Sequence, residues 1–187
     1  MKFKLLVTAM LLATTTLASA QSVSVGYAQR VLDSGSQEHQ TSLSVKTAAI
    51  GKYIGDFGIS SVQKDLTNAI TTRTEVGVTY SLPVPSYPVK LDTRIAHGWK
   101  SKSGSETTQY YVIEPSVSVA VPDTKLAVKL GYRVREAYSA NVADNSTTSR
   151  VAVSYAITKK DRISFGRDWQ RGDGALIQNS LQYTRAF

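Results

Sequence analysis

The chain has 187 residues, a formal net charge of +8 at neutral pH, no cysteine and two histidines, His39 and His97. Those counts exclude disulfides, thiolate chemistry, a lipidated N-terminal cysteine and a histidine-rich metal site. The acidic stretch Asp144-Asn145 lacks the glycine and distal glutamate of a calcium loop, so no cofactor is expected.

In chain order, the first element is a leader. Lys2 and Lys4 precede the apolar run Leu5 to Leu12, and Ala18-Ser19-Ala20 offers a small-residue cleavage site. That pattern reads as a secretory signal over residues 1–20, with residues 21–187 forming one domain. The apolar run is too short to cross a membrane as a helix, and no later stretch approaches the ~20 apolar residues such a helix needs. A membrane location therefore requires a closed sheet, because lipid cannot satisfy an open sheet edge.

After the leader the sequence has a period of two. Val23-Ser24-Val25-Gly26-Tyr27, Leu43-Ser44-Val45-Lys46, Val76-Gly77-Val78-Thr79-Tyr80, Val117-Ser118-Val119-Ala120-Val121 and Val151-Ala152-Val153-Ser154-Tyr155 alternate apolar with small or polar residues. Tight breaks fall at Gly51-Lys52, Pro83 to Pro88, Pro122-Asp123-Thr124 and Lys159 to Arg162. Longer polar breaks fall at Leu32 to Gln40, Lys64 to Thr71, Lys100 to Thr108, Ser139 to Ser149 and Gly172 to Asn179. This punctuation predicts ten strands joined by four short turns and five longer loops, in an all-β, closed antiparallel transmembrane barrel; eight or twelve strands stay open as alternatives. An even strand count, short periplasmic turns and longer external loops suit a bacterial outer-membrane barrel, whose strands run to roughly 9 to 11 residues. The first strand near Val23 is expected to pair with the last near Tyr183.

The seventh predicted strand shows how the faces divide. Leu126, Val128, Leu130, Tyr132 and Val134 share one parity, and Lys129, Gly131, Arg133 and Arg135 share the other. A lipid-facing exterior and a polar lumen explain this; a soluble barrel would turn the apolar face inward. Three features favour lipid. The polar parity is rich in glycine, alanine and serine, which suits a crowded lumen. Tyr53, Trp99, Trp169 and Phe187 sit near strand ends on the apolar parity, as membrane-interface aromatics do. A leader is combined with a terminal phenylalanine. Arg167 and Arg185 run against the pattern, since both nominally face lipid. Arg185 lies near the chain end and can snorkel, whereas a lipid-facing Arg167 would cost about 2–4 kcal/mol at mid-bilayer unless a bulge near Gly166 switches its face or the strand sits higher.

By parity the lumen holds Arg30, Lys46, Arg73, Lys90, Arg94, Lys129, Arg133 and Arg135 against Asp56, Glu75, Asp92, Glu114 and Asp168. Glu114 is expected between Arg94 and Lys129 or Arg133. Two functions follow from this mixed ladder. Opposed charges can pair and fill the interior, giving a non-conducting structural or surface-interaction barrel. Alternatively the cationic excess makes a narrow channel that prefers anionic solutes, with arginine forks holding carboxylates.

The stretch Pro115 to Tyr138 adds a family resemblance. Pro122-Asp123-Thr124-Lys125-Leu126 leading into Gly131-Tyr132-Arg133-Val134-Arg135-Glu136-Ala137-Tyr138 resembles the turn and strand of the oligogalacturonate-specific porin family. The resemblance implies a monomeric outer-membrane channel for acidic oligosaccharides and makes Arg133 and Arg135 its candidate pore residues. Members of that family have twelve strands, so this chain is shorter by a hairpin. The final strand, Leu181-Gln182-Tyr183-Thr184-Arg185-Ala186-Phe187, resembles the general assembly signal of outer-membrane proteins, with Arg185 where an apolar residue is usual. The expected partners are accordingly outer-membrane lipid and lipopolysaccharide, the assembly machinery acting on the last strand, and small anionic solutes. No nucleic acid is expected among them.

Catalysis is not expected. His97 and Ser101 are similar to the His and Ser of outer-membrane lipid A deacylases, but there the two are two residues apart, and here position 99 is Trp. Arg171-Gly172-Asp173 could serve adhesion and is also an ordinary turn.

Overall fold

The computed structural model describes residues 20–64, 69–102, 105–139 and 144–187, and it forms one closed antiparallel barrel. The expected leader lies outside the described residues except for the backbone of Ala20. The ten strands are β1 (Ala20–Leu32), β2 (Gln37–Thr47), β3 (Tyr53–Lys64), β4 (Ile70–Pro83), β5 (Val89–Lys102), β6 (Thr108–Ala120), β7 (Leu126–Ala137), β8 (Ser146–Ala156), β9 (Asp161–Gly172) and β10 (Leu176–Ala186). Each pairs with its neighbours in sequence, and β1 closes on β10 from Ser22↔Ala186 to Leu32↔Leu176, with Val25 opposite Tyr183. Closure leaves no unpaired edge, which is the condition for a sheet in lipid.

Alternation decides what each face carries. Phe165 (63% exposed), Ile95 (60%) and Val25 (55%) point outward, whereas Arg30, Glu114, Arg135 and Asp168 point inward and are buried. The barrel is therefore apolar outside and charged inside, the reverse of a soluble barrel. Its one tightly packed apolar cluster, Ala96, Tyr110 and Val112, lies inside the wall of β5 and β6. Tyr110 fits there because its cross-strand partner is Gly98: a Cβ on that glycine would stand 2.4 Å from the Tyr110 ring.

The connections differ from the sequence expectation. The breaks expected to be long are short: residues 33–36 join β1 to β2 and residues 173–175 join β9 to β10, while 138–145 join β7 to β8. Polar residues such as Gln37 to Gln40 and Lys100 to Lys102 are strand residues, because a strand can run past an apolar belt without losing its ladder hydrogen bonds. The expected tight turn at Asp123 forms with positive φ (56°), and Thr124 Oγ1 donates to the Val121 carbonyl at 2.9 Å. Both ends of the described chain lie on this turn side, where Phe187 N donates to Gln21 O at 3.0 Å.

Arg167 faces outward, and the β9 register runs unbroken through Gly166, so no bulge turns it inward. It stands in a polar row that crosses four strands on the outer surface, Arg167, Asn179, Gln29 and His39, each opposite the next. Its guanidinium lies 5.5 Å from the Trp169 ring. Arg185 also faces outward and is paired at the rim, 3.5 Å from Asp161, which accepts from the Tyr183 hydroxyl at 2.5 Å.

The four aromatics singled out by sequence fall at the two ends of the outer surface. Tyr53 stacks against Tyr80, with ring centroids 5.4 Å apart, and with Phe187 lies on the turn side; Trp99 and Trp169 lie on the loop side.

Candidate functional site: a charged ladder facing a small-residue wall

The interior has two unlike walls. Along β10, β1 and β2 the inward positions are small or neutral over most of the strand, including Ser180, Ser24, Gly26, Ser42 and Ser44. Along β4 to β8 long charged residues, Arg73, Glu75, Arg94, Glu114, Arg133 and Arg150 among them, stand between small ones such as Gly77, Ala96, Gly131 and Ala152. In mid-barrel the charged side chains form an alternating ladder. Asp56 accepts from Arg94 Nε at 2.9 Å and from Arg94 NH2 at 2.6 Å, and Arg94 NH1 donates to Glu75 at 2.9 Å. Arg133 pairs with Glu75 and stands 3.8 Å from Glu114. Arg150 NH1 donates to Glu114 at 3.2 Å, and its other nitrogens grip Asp168 at 2.8 and 2.7 Å. Tyr110 donates to Glu75 at 3.1 Å.

The ladder satisfies buried charge by alternating its sign, as burial of ions requires. Space for it is built into the backbone. Arg94 folds across Gly77, where a Cβ would stand 3.1 Å from its Nε. One expectation holds by half: Glu114 takes Arg133 on β7, but not Arg94 on β5. Arg94 is opposite Glu114 in register, yet reaches back over β4 to Asp56 and Glu75, while Glu114 takes Arg133 and Arg150.

Other expected lumen residues take positions above and below the ladder. On the loop side Arg30 donates to Glu38 at 2.7 Å, and Arg73 and Arg135 meet Asp144. On the turn side Lys90 stands 3.2 Å from Asp92. Lys46 and Lys129 also lie there, and neither has a carboxylate partner among the described residues.

A cavity of about 590 Å³ runs between the two walls. Eight cationic side chains line it, Arg30, Lys46, Arg73, Lys129, Arg133, Arg135, Arg150 and Arg162, against two carboxylates, Glu75 and Asp168. Lys90, Asp92, Arg94 and Glu114 point inward but do not line this space. Hydroxyls and amides complete the lining, with Ser22, Ser164, Gln40, Gln178 and Gln182 among them. Chemically, the cavity offers forked cationic donors on one side and neutral hydrogen-bonding groups on the other.

Sequence reasoning missed three contributors. Arg150 adjoins the polar run from Ser139 to Ser149, and its parity with Ala152 and Ser154 was the available signal. Arg162 was read as part of a turn. Asp144 comes from a connection, and nothing local shows that it is buried.

His97 and Ser101 do not form a nucleophile–base pair. His97 Nδ1 is 3.1 Å from the Tyr138 hydroxyl, and Ser101 Oγ is 3.0 Å from Thr107 Oγ1. Asp173, of Arg171-Gly172-Asp173, accepts from Asn145 N at 2.8 Å within the loop-side turn.

No family model and no curated protein matches the chain. Solved structures do. The KdgM porin aligns at TM-score 0.54 and 14% identity, covering 88% of this chain and 99% of that one, and it has also been solved in complex with disordered oligogalacturonate. The NanC porin aligns at TM-score 0.58 and 13% identity, covering 88% and 100%. The β domain of the Bordetella autotransporter BrkA aligns at TM-score 0.58 and 10% identity, covering 91% and 100%. At such identities the likeness is one of fold, and this chain has the fold of small outer-membrane barrels.

Proposed function

We propose that the chain is an outer-membrane barrel acting as a narrow channel that prefers anionic solutes, with acidic oligosaccharides the best-fitting class. One observation carries the reading: eight cations against two carboxylates line the cavity. In a tube walled by protein and lipid such an excess raises the local concentration of anions. Guanidinium forks can hold a carboxylate through two parallel hydrogen bonds. The serines and glutamines opposite can serve sugar hydroxyls. The oligogalacturonate complex of the KdgM porin supports the choice of solute class, as does the resemblance around Arg133 and Arg135.

A second reading rests on the ladder itself, which cross-links the interior from Asp56 to Asp168 and makes a barrel that holds shape without conducting. Planar-bilayer recording separates the two. The channel reading predicts current whose chloride-over-potassium preference falls to unity or below when Arg133 and Arg135 are changed together to Glu. A correctly refolded, heat-modifiable barrel that passes no ions overturns it in favour of the second.

A further inference from the structure

One buried carboxylate in the lumen comes from no strand. Asp144 lies in the connection between β7 and β8, and its side chain is 2% exposed. Its Oδ1 meets Lys100 Nζ at 3.0 Å, an Arg135 guanidinium nitrogen at 3.2 Å and an Arg73 guanidinium nitrogen at 3.6 Å. The three cations come from β4, β5 and β7 and converge on a single oxygen.

That cluster is over-provided for the carboxylate it holds. Three positive groups face one negative group, and two buried atoms within it, Asp144 Oδ2 and Arg73 Nε, have no hydrogen-bond partner. Each buried unsatisfied polar group costs about 1–3 kcal/mol, and this cluster holds two, where the Arg30–Glu38 and Lys90–Asp92 pairs hold one each among the described residues. Asp144 is held in place by its surroundings. Asn145 Oδ1 accepts from Ala137 N at 2.9 Å, Asp173 Oδ2 accepts from Asn145 N at 2.8 Å, and Arg135 Nε donates to the Asp144 carbonyl at 3.3 Å.

We propose that Arg73, Lys100 and Arg135 form a carboxylate-binding site at the loop-side mouth of the lumen, and that Asp144 is its built-in competitor. The proposal rests on the lumen being a path for anions. A free carboxylate can meet Arg73 and Arg135 from the cavity that both of them line. It must first compete with a carboxylate already seated against the same cations. Solutes with several carboxylates gain entry at concentrations where single ones do not.

Citrate, a compact tricarboxylate, is the probe. Its binding to the refolded full-length barrel in detergent is measured by calorimetry, separately from conductance. Asp144→Asn keeps the side-chain volume and is expected to tighten citrate binding about five-fold, the lower end of typical coupling between sites. Asp144→Asn with Arg135→Gln is expected to lose that gain. Should Asp144→Asn fail to refold, Lys100→Gln in the otherwise native chain tests the site: it is expected to weaken binding several-fold. Unchanged or weaker citrate affinity in a folded Asp144→Asn barrel overturns the proposal, as does native affinity in Lys100→Gln. A barrel that binds as expected but carries no current overturns the channel reading alone. A conducting barrel whose citrate affinity ignores Asp144 overturns this site alone.

Discussion

The wall of β4 to β8 and the wall of β10, β1 and β2 solve opposite problems with the same strand geometry. The first carries the long charged residues that must find partners, and the ladder from Asp56 through Arg94, Glu75, Arg133 and Glu114 to Arg150 and Asp168 ties seven strands, β3 to β9, beyond their backbone bonds. The second carries serines, a glycine and an alanine that ask for little and leave space. The difference teaches that the open volume of a small barrel need not lie on its axis. It lies where the side chains stop short, so open space and cross-linking can be assigned to different strands.

The largest expected effect breaks the charged wall. Glu75 is shared by Arg94, Arg133 and Tyr110, and Glu75→Ala leaves two guanidiniums without that partner; about 3 kcal/mol of stability should be lost, as on breaking buried pairs elsewhere. Urea unfolding of the refolded barrel measures it, and an unchanged midpoint would mean that the wall is not cross-linked. A smaller effect on stability, within about 1 kcal/mol, is expected from Ser44→Trp on the opposite wall, because Ser44 lines the cavity beside Gly58. That substitution should instead cut single-channel current by roughly half, since side chains set the free bore of small barrels. Loss of folding with unchanged current would reverse the roles of the two walls. The smallest effect is expected outside both. Arg167→Leu should change stability by less than about 1 kcal/mol, as expected of an interfacial position, which the polar row with Asn179, Gln29 and His39 favours for Arg167. A gain of several kcal/mol would place it in hydrocarbon.

Much of this was legible in the alternation of side chains. The parity of Leu126 to Val134 against Lys129 to Arg135 gave both faces of β7, and the first and last runs gave the closing pair. Strand ends were less legible, since Gln37 or Lys102 has the same composition whether it lies in a loop or in a strand extended past the apolar surface. Pairing within the lumen was not legible at all. Arg94 sits opposite Glu114 in register, and only its length and the space over Gly77 send it to Asp56 instead. The burial of Asp144 depends on cations from three distant strands, which no local pattern encodes.

Six of the cavity's ten charged side chains, Arg73, Glu75, Lys129, Arg133, Arg135 and Arg150, stand on β4, β7 and β8, which polarises the lumen across the barrel as well as along it. An elongated molecule with acid groups on one edge and hydroxyls on the other has one favoured roll angle inside, with its acids toward Arg133 and Arg150 and its hydroxyls toward Ser24 and Ser180. On the proposed channel function, the field would act as a keyway, selecting solutes by the side on which they carry their charge as well as by how much charge they carry.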